Sequence, residues 1–209
     1  MRTIGLIIKR QMDLWGACVA ILLLTPFFLT AFLFIKLDSP GPVFYRRARA
    51  GQDGEEFVPY KFRTMIYKAD TVGLKLGIEE GDARITRVGK ALRDWGLDEL
   101  PQLFNVLKGE MSLIGPRPML PEQIQWLNVE QRKRLEMRPG MGGLALVKGR
   151  RAMLWKDRLK YDVEYVENWS LRLDVKLIFQ TLWAVLVKRE GLYEIEGGLQ
   201  DEFIKDLTR

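Results

Sequence analysis

The sequence predicts an α+β fold, mostly helical: an N-terminal re-entrant membrane helix hairpin, then a compact cytosolic domain with short strands and interfacial amphipathic helices. Three observations carry this. A run of 22 residues without a charge, Leu14 to Ile35, lies near the start of the 209-residue chain. A helix-stopping cluster, Ser39-Pro40-Gly41-Pro42, follows it. Beyond that boundary most apolar spacings are helical, and only one stretch alternates.

As a straight helix the apolar run, LWGACVAILLLTPFFLTAFLFI, would reach roughly 33 Å, enough to enter or cross a bilayer core. Whether it spans is a separate question. Thr25-Pro26 sits mid-run, where proline removes a backbone hydrogen bond. Arg2, Lys9 and Arg10 precede the run; Lys36, Arg46, Arg47 and Arg49 follow it. Positive flanks favour the cytoplasm, and here both ends make that claim. A helix that bends at Thr25-Pro26 and returns satisfies both flanks, whereas a proline-kinked spanning helix satisfies one. The expected organisation is an anchor over 1–38, a domain over 39–187 and a tail over 188–209 to which no role attaches.

Composition narrows the chemistry. Hydrophobic residues make up 47% and charged ones 29%, which excludes both a disordered polyampholyte and a polytopic membrane protein. Net charge is +6, from 33 basic and 27 acidic residues, and suits an anionic partner without choosing among lipid headgroups, nucleic acid and phosphorylated small molecules. There is no histidine and one cysteine, so Ser-His and Cys-His nucleophile systems, the usual zinc sites and an intramolecular disulfide are all excluded. Cys18, inside the apolar run, reads as packing. Proton transfer and metal ligation fall to Asp, Glu, Lys, Tyr and backbone oxygen, an inventory that fits Mg2+.

EEFVPYKFRTM, Glu55 to Met65, alternates. Val58, Tyr60 and Phe62 point one way, Lys61 and Arg63 the other, as in a half-buried strand with a basic face; Pro59 makes it an edge or irregular strand. Residues 68–83 read as a short helix and a loop. GLDELPQLFNVLKGEMSLIGPRP, Gly96 to Pro118, opens with a helix whose Leu100, Leu103, Phe104 and Leu107 share one face. Asp98 and Glu99 stand at its start, Pro101 in its first turn, and Lys108-Gly109 at its end. Taken alone, such a pair is either an N-terminal cap or a functional dyad. Near the C-terminus, Leu171, Val175, Ile178, Leu182, Val185 and Leu186 recur at helical spacing. That helix faces the core, or lies on the membrane with Trp155, Trp169 and Trp183 at headgroup level.

Several motifs fail. No Asp-x-Asp occurs. GDARITRVGK has Arg84 and Ala91 where a Walker loop needs Gly and Ser or Thr. GMGGLA, Gly140 to Ala145, follows Arg138-Pro139 instead of a strand and reads as a Gly-rich turn. Lys61, Arg63, Arg93 and Arg117 are candidate anion contacts. Arg117 stands out because Pro116 and Pro118 restrict the backbone around its guanidinium.

KRQMDL, SPGPVFYRRARAG, YKFRTM, RITRVGKALR, LDELPQLFNVLKGEMSLIGPRP, RPGMGGLA and DVEYVENWSL together resemble the bacterial sugar transferases, the monotopic phosphoglycosyl transferases, in their minimal form. The pieces occur in family order from about Lys9 to Thr181. The resemblance implies a catalytic domain on the cytoplasmic face of the bacterial inner membrane, held by a re-entrant helix. It implies transfer of a phosphosugar from a UDP-sugar to a polyprenol (undecaprenyl) phosphate, with Mg2+ as cofactor and no nucleic acid as partner. Asp98 matches the carboxylate nucleophile and Glu99 its partner, the two also holding the metal. Arg93, Arg117 and Lys61 match positions expected to bind phosphate or nucleotide; Asp162 and Tyr165 match the D-x-x-Y element, and with Arg63 complete the expected substrate contacts. The chain departs from the family pattern at Gly142, Leu146 and Lys148, where Thr, Gln and Asn are usual. A catalytically inactive, membrane-anchored basic scaffold that binds anionic lipid or nucleotide is the alternative; it leaves the intact LDELPQL and GPRP unexplained.

Overall fold

The computed structural model of the chain describes residues 2–69, 82–149 and 153–186. The tail over 188–209 and most of the stretch over 68–83 lie outside these residues.

Helix α1 (Arg2–Asp38) is one element with Pro26 inside it, not two helices joined by a turn. At 1.5 Å per residue it is about 55 Å along its path. Around the proline, Thr25 Oγ1 donates to the Ile21 carbonyl at 2.8 Å and Thr30 Oγ1 to the Pro26 carbonyl at 2.8 Å. By length and composition α1 can cross a membrane. Leu22, Leu23, Leu29, Phe32 and Leu37 on its outward side are exposed, and so is Cys18, which does not pack as expected.

The inward side of α1 is bound to the rest of the chain along its length. Lys9, Asp13, Ala17, Ala31 and Ile35 are buried. The Lys9 ammonium donates to the Ile114 carbonyl at 2.9 Å and to Asp174 Oδ2 at 2.8 Å. Arg10 donates to the carbonyls of Val106 and Leu107, the end of a helix, where a cation complements the dipole. Lys9 and Arg10, which the charge pattern marked as positive flanks of the apolar run, are therefore also docking groups. At the other end, Arg63 donates to the carbonyls of Ile35, Ser39 and Pro40 and to Ser39 Oγ. Arg63 thus gathers the chain where it leaves the helix, at carbonyls of the last turn and of the two residues after it.

The alternating stretch divides at Pro59. Strand β1 (Phe44–Tyr45) pairs antiparallel with β4 (Lys61–Phe62), and β2 (Arg49–Ala50) with β3 (Glu56–Phe57). Phe62 is buried while Val58 is exposed, so the single shared face expected of these residues does not form: the proline changes the direction of the chain and the pairing partner. Strand β5 (Ser112–Ile114) runs parallel to β6 (Gly140–Gly142). The expected Gly-rich turn is thus a strand.

Helices α2 (Arg87–Asp94), α3 (Leu103–Lys108), α4 (Val129–Arg132) and α5 (Leu144–Gly149) are short; α6 (Trp155–Glu167) and α7 (Leu171–Leu186) are longer. Ile114, Met137, Leu144, Tyr165, Val166 and Leu177 form one core cluster. Ala17 of α1 joins Phe57, Leu103, Val106 and Met111, and Ala31 and Ile35 join Val43, Phe62 and Leu92. Helix α7 is rotated from its apolar periodicity: Asp174 and Leu177 are buried, whereas Val175, Phe179, Leu182 and Trp183 are exposed. The cause is Asp174, which accepts from Lys9, from the Tyr165 hydroxyl at 2.6 Å and from Trp169 Nε1 at 3.0 Å. Trp169 thus faces a carboxylate, and Trp155 stacks beneath the Arg158 guanidinium.

A buried ion pair that loses one partner leaves an uncompensated charge. Lys9→Met is expected to lower unfolding free energy by about 3–5 kcal/mol in detergent-solubilised protein. Lys36→Met, at an exposed ammonium bonded to the Gly41 carbonyl, is expected to change it by less than about 0.5 kcal/mol. Thermal or denaturant unfolding of the two variants checks the contrast.

Candidate active site

The helix expected from Asp98 to Lys108 is two elements: a 3-10 segment, Leu97–Gln102, and α3. Gly96 precedes them at φ 64°, a left-handed conformation that glycine adopts without strain. The N-cap position is Gly96 itself, which has no side chain to cap with; Asp98 and Glu99 stand in the first turn. The expected apolar face is only partly the inner one: Leu103 is buried and Leu107 packs against the same cluster. Phe104 is exposed, while Asp98, Glu99, Gln102, Leu103, Asn105 and Val106 are buried. Asp98 and Glu99 are only 4% and 8% exposed, so each charge requires a partner.

Lys61 and Arg117 supply those partners. The Lys61 ammonium lies 2.9 Å from Asp98 Oδ2 and 3.2 Å from Glu99 Oε1. The Arg117 fork reaches both oxygens of Glu99, at 3.1 Å to Oε1 and 3.5 Å to Oε2. Burial would lower the Lys61 pKa, but Asp98 and Glu99 outweigh it and hold it above the ordinary lysine value. Two carboxylates and two cations give a cluster with no net charge, in reach of solvent through the partly exposed Lys61 and Arg117.

Each member is held from behind. Asn105, fully buried, donates to the Val58 carbonyl at 2.9 Å and accepts from the Tyr60 backbone N–H at 2.8 Å. It thereby ties α3 to the chain leading into β4 and sets Lys61 over the dyad. Arg117 follows β5: the Gly115 N–H donates to the Gly142 carbonyl and the Gly140 N–H to the Pro116 carbonyl. The Arg117 carbonyl accepts from Arg134, a buried residue paired with Asp162.

Of the expected substrate contacts, Lys61 and Arg117 meet the dyad. Arg93 forms no ion pair with the dyad among the described residues; its charge is felt by Asp82, and its Nε donates to Thr64 Oγ1 at 2.7 Å, three residues from Lys61. Close approach of α2 makes this bond possible, because a Cβ on Gly89 would collide with the Thr64 backbone. Arg63, Asp162 and Tyr165 are not brought into the cluster. Arg63 closes the end of α1. Asp162 and Tyr165 are each 1% exposed and hold Arg134 and Asp174. Burial pushes the Asp162 pKa up although Arg134 opposes it, and burial followed by Asp174 pushes Tyr165 up. Of the three departures from the family pattern, Gly142 faces Thr181 of α7, where a Cβ would meet the threonine hydroxyl at 2.8 Å; Lys148 is exposed.

Sequence reading missed Lys9, Asp13, Asn105, Arg134 and Asp174. Asn105 had a signal, a polar residue within an otherwise apolar helical stretch. The ion pairs had none, because their partners lie 28 and 165 residues apart.

Among the described residues no group of three or more acidic, histidine or cysteine side chains could hold a metal. Two adjacent carboxylates are nonetheless the share a protein commonly gives Mg2+ when phosphate oxygens and water complete the shell. Asp98 and Glu99 fit that share.

Residues 4–188 match the bacterial sugar transferase family. The exopolysaccharide production protein ExoY of Rhizobium meliloti (strain 1021) is 38% identical over 203 residues, covering 90% of each chain. The UDP-glucose:undecaprenyl-phosphate glucose-1-phosphate transferase of Caulobacter vibrioides is 40% identical over 85% of this chain and 69% of its own. The UDP-N-acetylgalactosamine-undecaprenyl-phosphate N-acetylgalactosaminephosphotransferase of Aeromonas hydrophila is 43% identical over 86% of this chain and 44% of its own. Matched across nearly its whole described length, and carrying a buried Asp-Glu dyad between two cations, the chain belongs to the bacterial sugar transferase family.

Proposed function

We propose that this protein transfers a phosphosugar from a UDP-sugar to polyprenol (undecaprenyl) phosphate at the cytoplasmic face of the bacterial inner membrane, initiating assembly of a surface glycan or glycoconjugate. The observation that carries this reading is Asp98: a carboxylate with an ammonium 2.9 Å away, next to Glu99 and within one cluster with Arg117. The names of the relatives, two of which specify an undecaprenyl-phosphate acceptor, support the substrate classes.

In this reading an Asp98 oxygen attacks the sugar-bearing phosphorus of the diphosphate. The bond from that phosphorus to the bridging oxygen breaks, UMP leaves with the electron pair, and an acyl phosphosugar remains on Asp98. A phosphate oxygen of the polyprenol phosphate then attacks the same phosphorus, which frees the Asp98 carboxylate and yields the polyprenyl-diphosphate sugar. The difficulty in both steps is anion approaching anion. Lys61 orients Asp98 and offsets its charge, and Arg117, its fork positioned by Glu99, Arg134 and the flanking prolines, is placed to take phosphate oxygens. Mg2+ held by Asp98 and Glu99 would neutralise diphosphate charge when bound. Arg93 adds a third cation on the α2 side. Arg63, Asp162 and Tyr165 act in this scheme as positioning residues without substrate contact.

The anchor reading is monotopic. Its support is the docking of both ends of α1 on one domain, Lys9 and Asp13 against β5 and α7, and Ile35 beneath Arg63. Both termini then lie on the cytoplasmic side, and reporters placed before Met1 and after Arg209 should both react with a cytoplasmic probe and resist an external one. Protection of either terminus from the cytoplasmic probe would mean a spanning helix.

Asp98→Asn is expected to reduce turnover by roughly 10⁴-fold or more while leaving the protein folded, since Glu99 still pairs with Lys61. The measurement is UMP release from a panel of UDP-sugars with Mg2+ and polyprenol phosphate; full activity in the variant refutes the nucleophile assignment, and no UMP from any donor favours a scaffold. Arg117→Lys keeps the charge and loses the fork, so a fall in kcat of about 10²-fold is expected in the same assay.

A further inference from the structure

Helix α5, the last turn of α6 and the first turns of α7 surround a groove of about 490 Å3. None of these elements supplies a member of the dyad cluster. Leu144 and Leu173 form the apolar part of the groove, and its cations are Lys148, Arg172 and Lys176. All three are exposed, and among the described residues none of them forms an ion pair. Against them stands Glu164, which leaves the lining with a surplus of positive charge. Arg172 and Lys176 are four residues apart on one helical face, a spacing at which like charges destabilise a helix. A bound anion relieves that repulsion. Ser170 Oγ, which accepts from the Leu173 N–H at 3.2 Å, keeps its own hydrogen to donate.

The position of the groove along α1 says which anion. The corner between α6 and α7 rests on the start of α1: Lys9 is paired with Asp174, and a Cβ on Gly5 would meet the Trp169 ring at 2.9 Å. The uncharged run of α1 begins at Leu14, about 7.5 Å of helix beyond Lys9. A bilayer has a hydrocarbon core of about 30 Å within a total of about 40–45 Å, so each headgroup layer is about 5–8 Å deep. With Leu14 at the edge of the core, Lys9 and Asp174 stand at the level of the headgroups. Helix α7 agrees. Val175, Phe179 and Leu182 form an exposed apolar stripe with Trp183 beside it, and at 3.6 residues per turn Arg172 and Lys176 fall along the flank of that stripe. An apolar face edged by cations suits a helix that lies at the interface.

We propose that this groove is a site for the headgroup of an anionic phospholipid, its phosphate shared by Lys148, Arg172 and Lys176 and its acyl chains along the Val175–Leu182 stripe. A soluble phosphate or nucleotide has the matching charge but gains nothing from the stripe, which is why a lipid is the occupant assigned. Lys148 makes the site a feature of this chain, since it stands where the family usually has Asn. The site goes beyond the transfer reaction and requires only that α1 lie in a bilayer. A lipid held there fixes α7 at the membrane surface and, through Asp174, the Lys9 end of α1 with it.

For the test, the full-length protein in a neutral detergent is titrated with dioleoylphosphatidylglycerol or dioleoylphosphatidylcholine, and bound lipid is counted by native mass spectrometry. Phosphatidylglycerol should be retained the more tightly. Arg172→Gln combined with Lys176→Gln should raise its apparent Kd roughly thirtyfold, the scale of two basic residues at an anionic surface. Lys148→Asn, which restores the usual family residue, should raise it about fivefold. Lys90→Gln combined with Lys160→Gln removes the same charge from exposed positions on α2 and α6, and should change it less than about twofold. Glu164→Gln should tighten retention about fivefold, a gain that misfolding cannot imitate. Equal retention of the two lipids overturns the proposal, as does an unchanged Kd in the groove variants or an equal loss in the Lys90 and Lys160 control. A Glu164→Gln variant that binds no more tightly also overturns it. Displacement of phosphatidylglycerol by millimolar inorganic phosphate or UMP would make this a site for soluble phosphate and overturn the lipid assignment.

Discussion

The buried Lys9–Asp174 pair is the contact on which the arrangement of this protein turns. Taking an ammonium and a carboxylate out of water is costly, and the cost is offset only where every remaining donor and acceptor is matched. Here Asp174 also accepts from Tyr165 and Trp169, and Lys9 also donates to the Ile114 carbonyl. One cluster thus joins α1, β5, α6 and α7. A purely apolar contact among four elements would tolerate sliding by a residue. This one does not, since any displacement strands a charge.

The same physics explains why α1 is part of the core and not a detachable anchor. Its inward side gives Ala17, Ala31 and Ile35 to two hydrophobic clusters, and small alanines let the helix approach α3 and the β1–β4 pair closely. Its outward side is left with large exposed apolar side chains, which need a nonaqueous environment. Helix α1 thus presents one face matched to protein and another whose exposed apolar side chains suit lipid.

Much of this was legible in the sequence. The uncharged run gave α1 and the Pro-Gly cluster its end, because helix length and helix breakers are local properties. LDELPQL and GPRP located the cluster, and Lys61 and Arg117 were among its expected cations. What the sequence obscured was orientation. Lys9, Arg63, Asp162 and Asp174 are charged, and charge predicts exposure unless a distant partner is known. Arg63 therefore read as an anion contact, although its donors close a helix terminus. On α7 the buried Asp174 turned the inward face away from the apolar repeat, which no hydropathy pattern could reveal. Taken alone, the Asp-Glu pair reads more readily as a cap than as a dyad, and it is the family resemblance that favours the dyad; the fold adds that both carboxylates lie against Lys61 and that Glu99 also meets Arg117.

Strand β5 connects anchor and site. Ile114 receives the Lys9 ammonium, Gly115 and Pro116 are bonded to β6, and Arg117 follows with its fork on Glu99. Four consecutive residues thus run from the docking of α1 to the cation beside the dyad, tied in turn to α1, to β6 twice and to the 3-10 segment that carries Glu99. At the other end of α1, Arg63 gathers the terminal carbonyls, two residues from Lys61 on the dyad's other side. The two cations that bracket Asp98 and Glu99 are therefore each connected to one end of the same helix. Because cores respond to strain by repacking and not by stretching, a shift of α1 against the rest of the chain and a change in the spacing of the charges around Asp98 and Glu99 are coupled through these contacts.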